Sequence, residues 1–182
     1  MINRSQRKSL SILLTLALVV NLFLPFVSQQ VKAATVASDL FISEYIEGGS
    51  NNKAIELFNG TGHDVNLKDY KLELYSNGSD SPSNPLDFSK LTDAEATLAN
   101  GETFVIVNGG SAPDLLSKGN LEHTITYYNG DDAIVLTHNG EIIDSFGQVG
   151  TDPGSSWGAT DVKTVDQTLV RKSTVTAGDK DP

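Results

Sequence analysis

Three histidines, one tryptophan and no cysteine limit the chemistry that this 182-residue chain can carry. His63 lies in Gly62-His63-Asp64, a turn composition, His138 abuts Asn139-Gly140, and His123 stands alone. None has metal-ligand or nucleophile spacing. Without cysteine a covalent nucleophile has to be Ser or Thr, and no Gly-x-Ser-x-Gly elbow occurs. Asp131-Asp132, beside Asn129-Gly130, offers carboxylates at a turn, as hard cations prefer. Calcium, however, takes about six to eight oxygens from a shaped loop, and no Asp-x-Asp-x-Asp-Gly run is present. The sequence predicts no catalytic set, no cofactor and no metal.

Two other residue types point to structural roles. Glu44 shares a period-2 face with Ile42 and Ile46; if that face is inward, its carboxylate needs a partner, and Arg171 in Leu169-Val170-Arg171-Lys172 is the expected one. Trp157, in Gly154-Ser155-Ser156-Trp157-Gly158, reads as a plug over the end of a sandwich, with stacking on sugars or bases as the alternative.

The elements that position these residues are strands. Six Asn-Gly dipeptides fall between residues 59 and 140, and both residue types tolerate the positive φ of tight reversals. Tyr70, Leu72 and Leu74 alternate with Lys71, Glu73 and Tyr75, a half-buried strand. Phe104 to Val107 and Ile134 to Leu136 read as strands covered on both faces, and Leu136 to Ile143 as a hairpin turning at Asn139-Gly140. About seven to nine strands result, the spacing of a sandwich or barrel. Residues 79–99 read as a long loop in which Thr92-Asp93-Ala94-Glu95 forms a capping box. Ala112 to Gly119 holds a second short turn, and residues 174–182 form a frayed polar tail.

The N-terminus is an address. Arg4, Arg7 and Lys8 precede an apolar run from Leu10 to Val27, and Val31-Lys32-Ala33 supplies a small-x-small cleavage site between Ala33 and Ala34. The predicted organisation is a signal peptide over 1–33, a linker over 34–38, one domain over 39–173 and the tail. The chain's formal charge is −10, and cleavage removes four basic residues and no acidic ones, leaving −14. Such a surface repels phosphate backbones and anionic lipid. Direct nucleic-acid binding is therefore not expected, nor membrane contact after cleavage. An exported chain without cysteines fits a bacterial secretion route.

These pieces form a recognisable series. Leu40-Phe41-Ile42-Ser43-Glu44-Tyr45, then Gly48, Asn51-Asn52-Lys53 and Ala54-Ile55-Glu56-Leu57-Phe58-Asn59, resemble the opening of the lamin tail domain family. Val65-Asn66-Leu67-x-x-Tyr70-x-Leu72, Leu98-x-x-Gly101-Glu102-Thr103-Phe104-Val105-Ile106, Asn129 to Leu136, Ile143-Asp144-x-Phe146-Gly147 and Thr168 to Lys172 continue it in order. The resemblance implies an immunoglobulin-like β-sandwich without catalytic residues, carried on secreted or surface proteins. The spacing around Glu44 and Glu56 is most similar to the branch joined to secreted nucleases, in which the chain runs on into an enzyme domain; here it stops at Asp181-Pro182.

The expected function is a secreted, non-catalytic module that binds an unidentified protein or cell-surface ligand. The alternatives are the accessory domain of a truncated exported nuclease or phosphoesterase, and a carbohydrate- or calcium-binding module.

Overall fold

The computed structural model describes residues 36–160 and 162–182. The expected cleavage site at Ala33 and Ala34 lies outside them. The fold is an immunoglobulin-like sandwich of two main sheets. Strands β1 (Phe41–Glu47), β2 (Lys53–Phe58), β7 (Thr103–Val107), β8 (Leu121–Glu122) and β13 (Gln167–Val170) form the first, in the order β13-β1-β2-β7-β8. The second has the order β10-β9-β4-β5, from β4 (Tyr70–Tyr75), β5 (Ser83–Asp87), β9 (Ala133–His138) and β10 (Glu141–Phe146). Two small ladders pair β3 (Val65–Asn66) with β6 (Thr97–Leu98), and β11 (Gly158–Ala159) with β12 (Val162–Lys163). The short helices are α1 (Asp93–Ala96) and α2 (Pro113–Leu116).

The core lies between the sheets. Ile42, Tyr45, Ile55, Leu57, Phe104 and Ile106 come from the first, and Tyr70, Leu72, Leu74, Ile134 and Leu136 from the second. Tyr45 stacks on Tyr128 and on Phe146, with centroids 4.7 and 4.4 Å away. Burying one such large side chain is worth about 1.5–3 kcal/mol, so this layer dominates stability.

Two β-bulges change what the alternation predicted. In β1 the register runs Ile42↔Leu57 and then Glu44↔Glu56, leaving Ser43 as an extra residue. Past it the inward face passes to Tyr45 and Glu47, while Glu44 and Ile46 turn to the outer face, half-buried. The inward position expected for Glu44 is thereby corrected. In β10 the register skips Ile143, and both Ile143 and Asp144 become buried.

Local turn chemistry separates the six Asn-Gly pairs. Asn77-Gly78 and Asn139-Gly140 have both residues at positive φ, and the second closes the β9–β10 hairpin. Asn59 and Asn108 do not take positive φ; they are buried and work through their carboxamides. Asn59 Nδ2 donates to His63 O (2.9 Å) and Leu98 O (2.8 Å), while its Oδ1 accepts from Thr61 N and Oγ1.

The stretch 79–99 is not one loop. Ser83–Asp87 pairs with β4 as an edge strand, where Pro85, lacking an N–H, is tolerated. The Thr92/Glu95 capping box forms at the start of α1. The tail, expected to fray, is tied down by one backbone and one side-chain hydrogen bond: Ser38 N donates to Thr176 O, and Asp179 N donates to Asp144 Oδ1 at 2.7 Å.

Candidate functional site

One end of the sandwich gathers most of the buried polar residues among those described. There β1, β4, β7 and β10 end, and β2, β9 and β13 begin, as the registers Glu47↔Lys53, Ala54↔Val107, Tyr75↔Ala133 and Glu47↔Gln167 require. The bulge at Ser43 points Glu47 inward across from Lys53, and the two are 5 % and 8 % exposed. Lys53 Nζ donates to Glu47 Oε1 at 2.5 Å and to Tyr128 O at 2.7 Å, and lies over the Tyr128 ring. Glu47 Oε2 accepts the Asp166 N–H. The Tyr128 hydroxyl sits 2.8 Å from both Ile46 O and Ala54 O, and burial pushes its pKa well up. Removing one partner of such a pair leaves a buried charge and costs about 3–5 kcal/mol.

Next to this pair stands the turn Asn129-Gly130-Asp131-Asp132. Gly130 has φ +104, and a Cβ there would meet Val165 at 2.9 Å, so the position requires glycine. Asp132 accepts Asn77 N–H at Oδ1 (2.8 Å) and Asn129 N–H at Oδ2 (3.1 Å). Burial raises its pKa against the pull of those N–H groups. With its carboxamide nitrogen turned toward them, Asn129 donates to Asp131 and Asp132. Among the described residues no group of three His, Cys, Asp or Glu side chains could hold a metal ion. The Asp131 and Asp132 carboxylates organise the turn.

Trp157 braces the same turn from the other side. Its Nε1 donates to Asp132 O at 2.9 Å, its backbone N–H to Thr164 Oγ1 at 2.9 Å, and its ring covers Gly147. The indole is half-buried against the loop, with its one donor used.

Between these groups opens a cleft of about 440 Å³. Lys53 and Tyr128 form its floor, Asn51, Asn108, Gly110 and Asn129 its walls, and Tyr127 stands at its rim, 62 % exposed. Asn108 is spoken for, accepting from Gly110 N (2.9 Å) and donating to Thr126 O. No described residue hydrogen-bonds the Asn51 carboxamide.

The remaining candidates lie elsewhere. Glu44 and Glu56 face each other across β1 and β2; Ser43 Oγ donates to Glu56 Oε1 at 2.7 Å, and burial together with the Glu56 charge raises the Glu44 pKa. Arg171 does not pair with Glu44. Its Nη2 is 2.9 and 2.8 Å from the Asp144 oxygens, so the expected partnership is corrected. The sequence reading missed Asp144 because its inward position depends on the bulge at Ile143. His123 Nδ1 accepts the Ile125 N–H, and burial lowers its pKa. His138 Nδ1 lies 2.8 Å from Asp39 Oδ2, and its ring stacks on Tyr70. His63 contributes its backbone carbonyl to Asn59. The histidines do not converge. Lys53, Glu47 and Tyr127 were not singled out in the sequence, although a charge pair flanking the Gly48–Asn52 reversal was visible there.

A family model described as Lamin Tail Domain matches residues 33–150. No curated protein matches the chain. The matched stretch ends before Trp157 and Arg171, yet β13 beyond it pairs with β1 and belongs to the same sheet.

Proposed function

The chain belongs to the lamin tail domain family, and from that premise we propose that it is a secreted, non-catalytic module for binding or surface association. One observation carries the reading: the buried ionisable groups are engaged in holding the fold. Lys53 holds Glu47, Arg171 holds Asp144, and Asp39 holds Tyr70 and His138. Around the cleft at the loop-rich end, the Tyr127 ring and the Asn51 and Asn129 carboxamides face solvent, groups that recognise ligands without transforming them. Export rests on the basic, apolar and small-x-small order of residues 4–33.

The test is expression in the producing organism. The protein should collect outside the cells with Ala34 at its N-terminus, and the purified domain should sediment with washed cells. Retention inside the cell, or a domain that stays wholly in the supernatant, contradicts the reading.

A further inference from the structure

We propose that the cleft bounded by Asn51, Lys53, Asn129 and Tyr127 binds a sugar unit of a neutral glycan, with the Tyr127 ring as its stacking platform. This inference rests on the binding reading above and names its ligand class.

The two neighbouring tyrosines are used in opposite ways. Tyr128 is buried, anchored by its hydroxyl to the β1–β2 backbone, while Tyr127 presents its ring to solvent. The Tyr127 backbone N–H donates to Thr124 O at 3.1 Å, closing a 3₁₀ turn in which Ile125 and Thr126 are buried. The exposed ring thus stands on a rigid support, and little ordering has to accompany stacking on it. A pyranose presents an apolar C–H face to such a ring and hydroxyls at its edge. Each hydroxyl both donates and accepts, as a carboxamide does. The Asn51 carboxamide supplies that pairing on one wall, and the Asn129 carboxamide, whose nitrogen is turned to Asp131 and Asp132, offers its oxygen as an acceptor on another. On the floor, Lys53 Nζ has three donors, of which Glu47 and Tyr128 O take two.

Charge selects among ligands. Glu47 already matches the Lys53 charge at 2.5 Å, and Asp131 and Asp132 stand behind Asn129. An anionic sugar or a phosphate therefore meets carboxylates without a free cation to offset them, in a chain of net charge −10. A polyhydroxylated neutral ligand avoids that cost. Trp157, the aromatic the sequence offered for stacking, has its N–H used and its ring over Gly147, so Tyr127 takes that role.

The experiment is a titration of the ¹⁵N-labelled mature chain with cellohexaose, maltohexaose, mannohexaose and chitohexaose, with polygalacturonate as the acidic comparison. At least one neutral oligosaccharide should shift the amides of Asn51, Gly110, Tyr127 and Asn129 at millimolar concentration. Tyr127→Ala should weaken that binding about tenfold, whereas Tyr127→Phe, which keeps the ring, should leave it nearly unchanged. Tyr127 is exposed, so both variants should keep the wild-type fold, as their spectra will report. No shift at this end with any neutral oligosaccharide, equal binding by Tyr127→Ala, or preference for polygalacturonate overturns the proposal. A domain that sediments with cells yet ignores these sugars overturns the glycan assignment alone and leaves the binding reading standing.

Discussion

Arg171 closes the edge of the sandwich onto Asp144. Its Nη2 lies 2.9 and 2.8 Å from the two carboxylate oxygens, and its Nε donates to Ile42 O at 2.8 Å. Asp144 is fully buried and also accepts the N–H groups of Ile42 and Asp179. Strand register makes this possible. The β1–β13 ladder stops at Glu44↔Val170, short of the Ile42 amide, and the bulge at Ile143 brings the buried Asp144 to meet that amide. A single ion pair thus joins one strand of each sheet to the C-terminal segment.

Arg171→Met should lower stability by about 3–5 kcal/mol, because it leaves the Asp144 carboxylate buried and unpaired. Urea melts of a double-mutant cycle identify the partner. Arg171 and Asp144 should couple strongly, and Arg171 and Glu44 should be additive. Coupling to Glu44 with none to Asp144 contradicts the pairing.

Glu44→Gln should stabilise the domain. Glu44 and Glu56 are cross-strand neighbours of like charge, a pairing that costs about 0.2–1 kcal/mol. The Glu44 carboxyl is raised above 4.5 in the fold, by burial first and by Glu56 second. A raised carboxyl favours the folded state at low pH and loses that contribution as pH rises through the folded value. The gain from Gln should therefore be present at neutral pH and vanish near about pH 3. A gain independent of pH would sink this account.

Asp39 has the opposite sign. Burial pushes its carboxyl up, but hydrogen bonds from Tyr70, His138 and the Leu40 N–H together hold it below 3.8. Its contribution stands above that unfolded value and is lost as the pH falls through the lower folded one. Asp39→Asn should cost about 1–3 kcal/mol at neutral pH, by weakening these bonds, and should cost less in acid. Thermal melts across acid pH check both statements.

Asn59→Ala and Asn139→Ala should differ although both precede glycine. Removing the Asn59 carboxamide takes its donor from the buried Leu98 O and one of two side-chain donors from His63 O, which keeps Thr61 Oγ1, at about 1–3 kcal/mol for a buried group. Asn139→Ala pays only for a left-handed backbone at φ 50, about 1 kcal/mol. Equal costs would mean that Asn59 serves only as a turn residue.

What the sequence disclosed and what it hid follow from the range of the forces. The β4 strand was legible because Tyr70, Leu72 and Leu74 alternate in unbroken register with β9, and the Asn139-Gly140 turn because its chemistry is local. The β1 alternation misled at Ser43, since an extra residue reverses the inward face and leaves no mark in a period-2 pattern. β5 was hidden by the Ser, Asn and Pro composition of an edge strand that pairs through its backbone. At the candidate site, Asp131, Asp132 and Trp157 drew attention by residue type, and each turned out to brace a turn. Tyr127 carried no local signal, because its exposure is set by what packs beneath its neighbour Tyr128.

The central proposal is that this lamin tail module binds and does not catalyse. The most direct measurement incubates the purified mature chain, with magnesium, calcium, manganese or zinc in turn, with single- and double-stranded DNA, RNA and a phosphodiester reporter. The account predicts turnover no faster than the buffer blank in every case. Reproducible cleavage that co-purifies with the domain, and that one substitution within it abolishes, would contradict it.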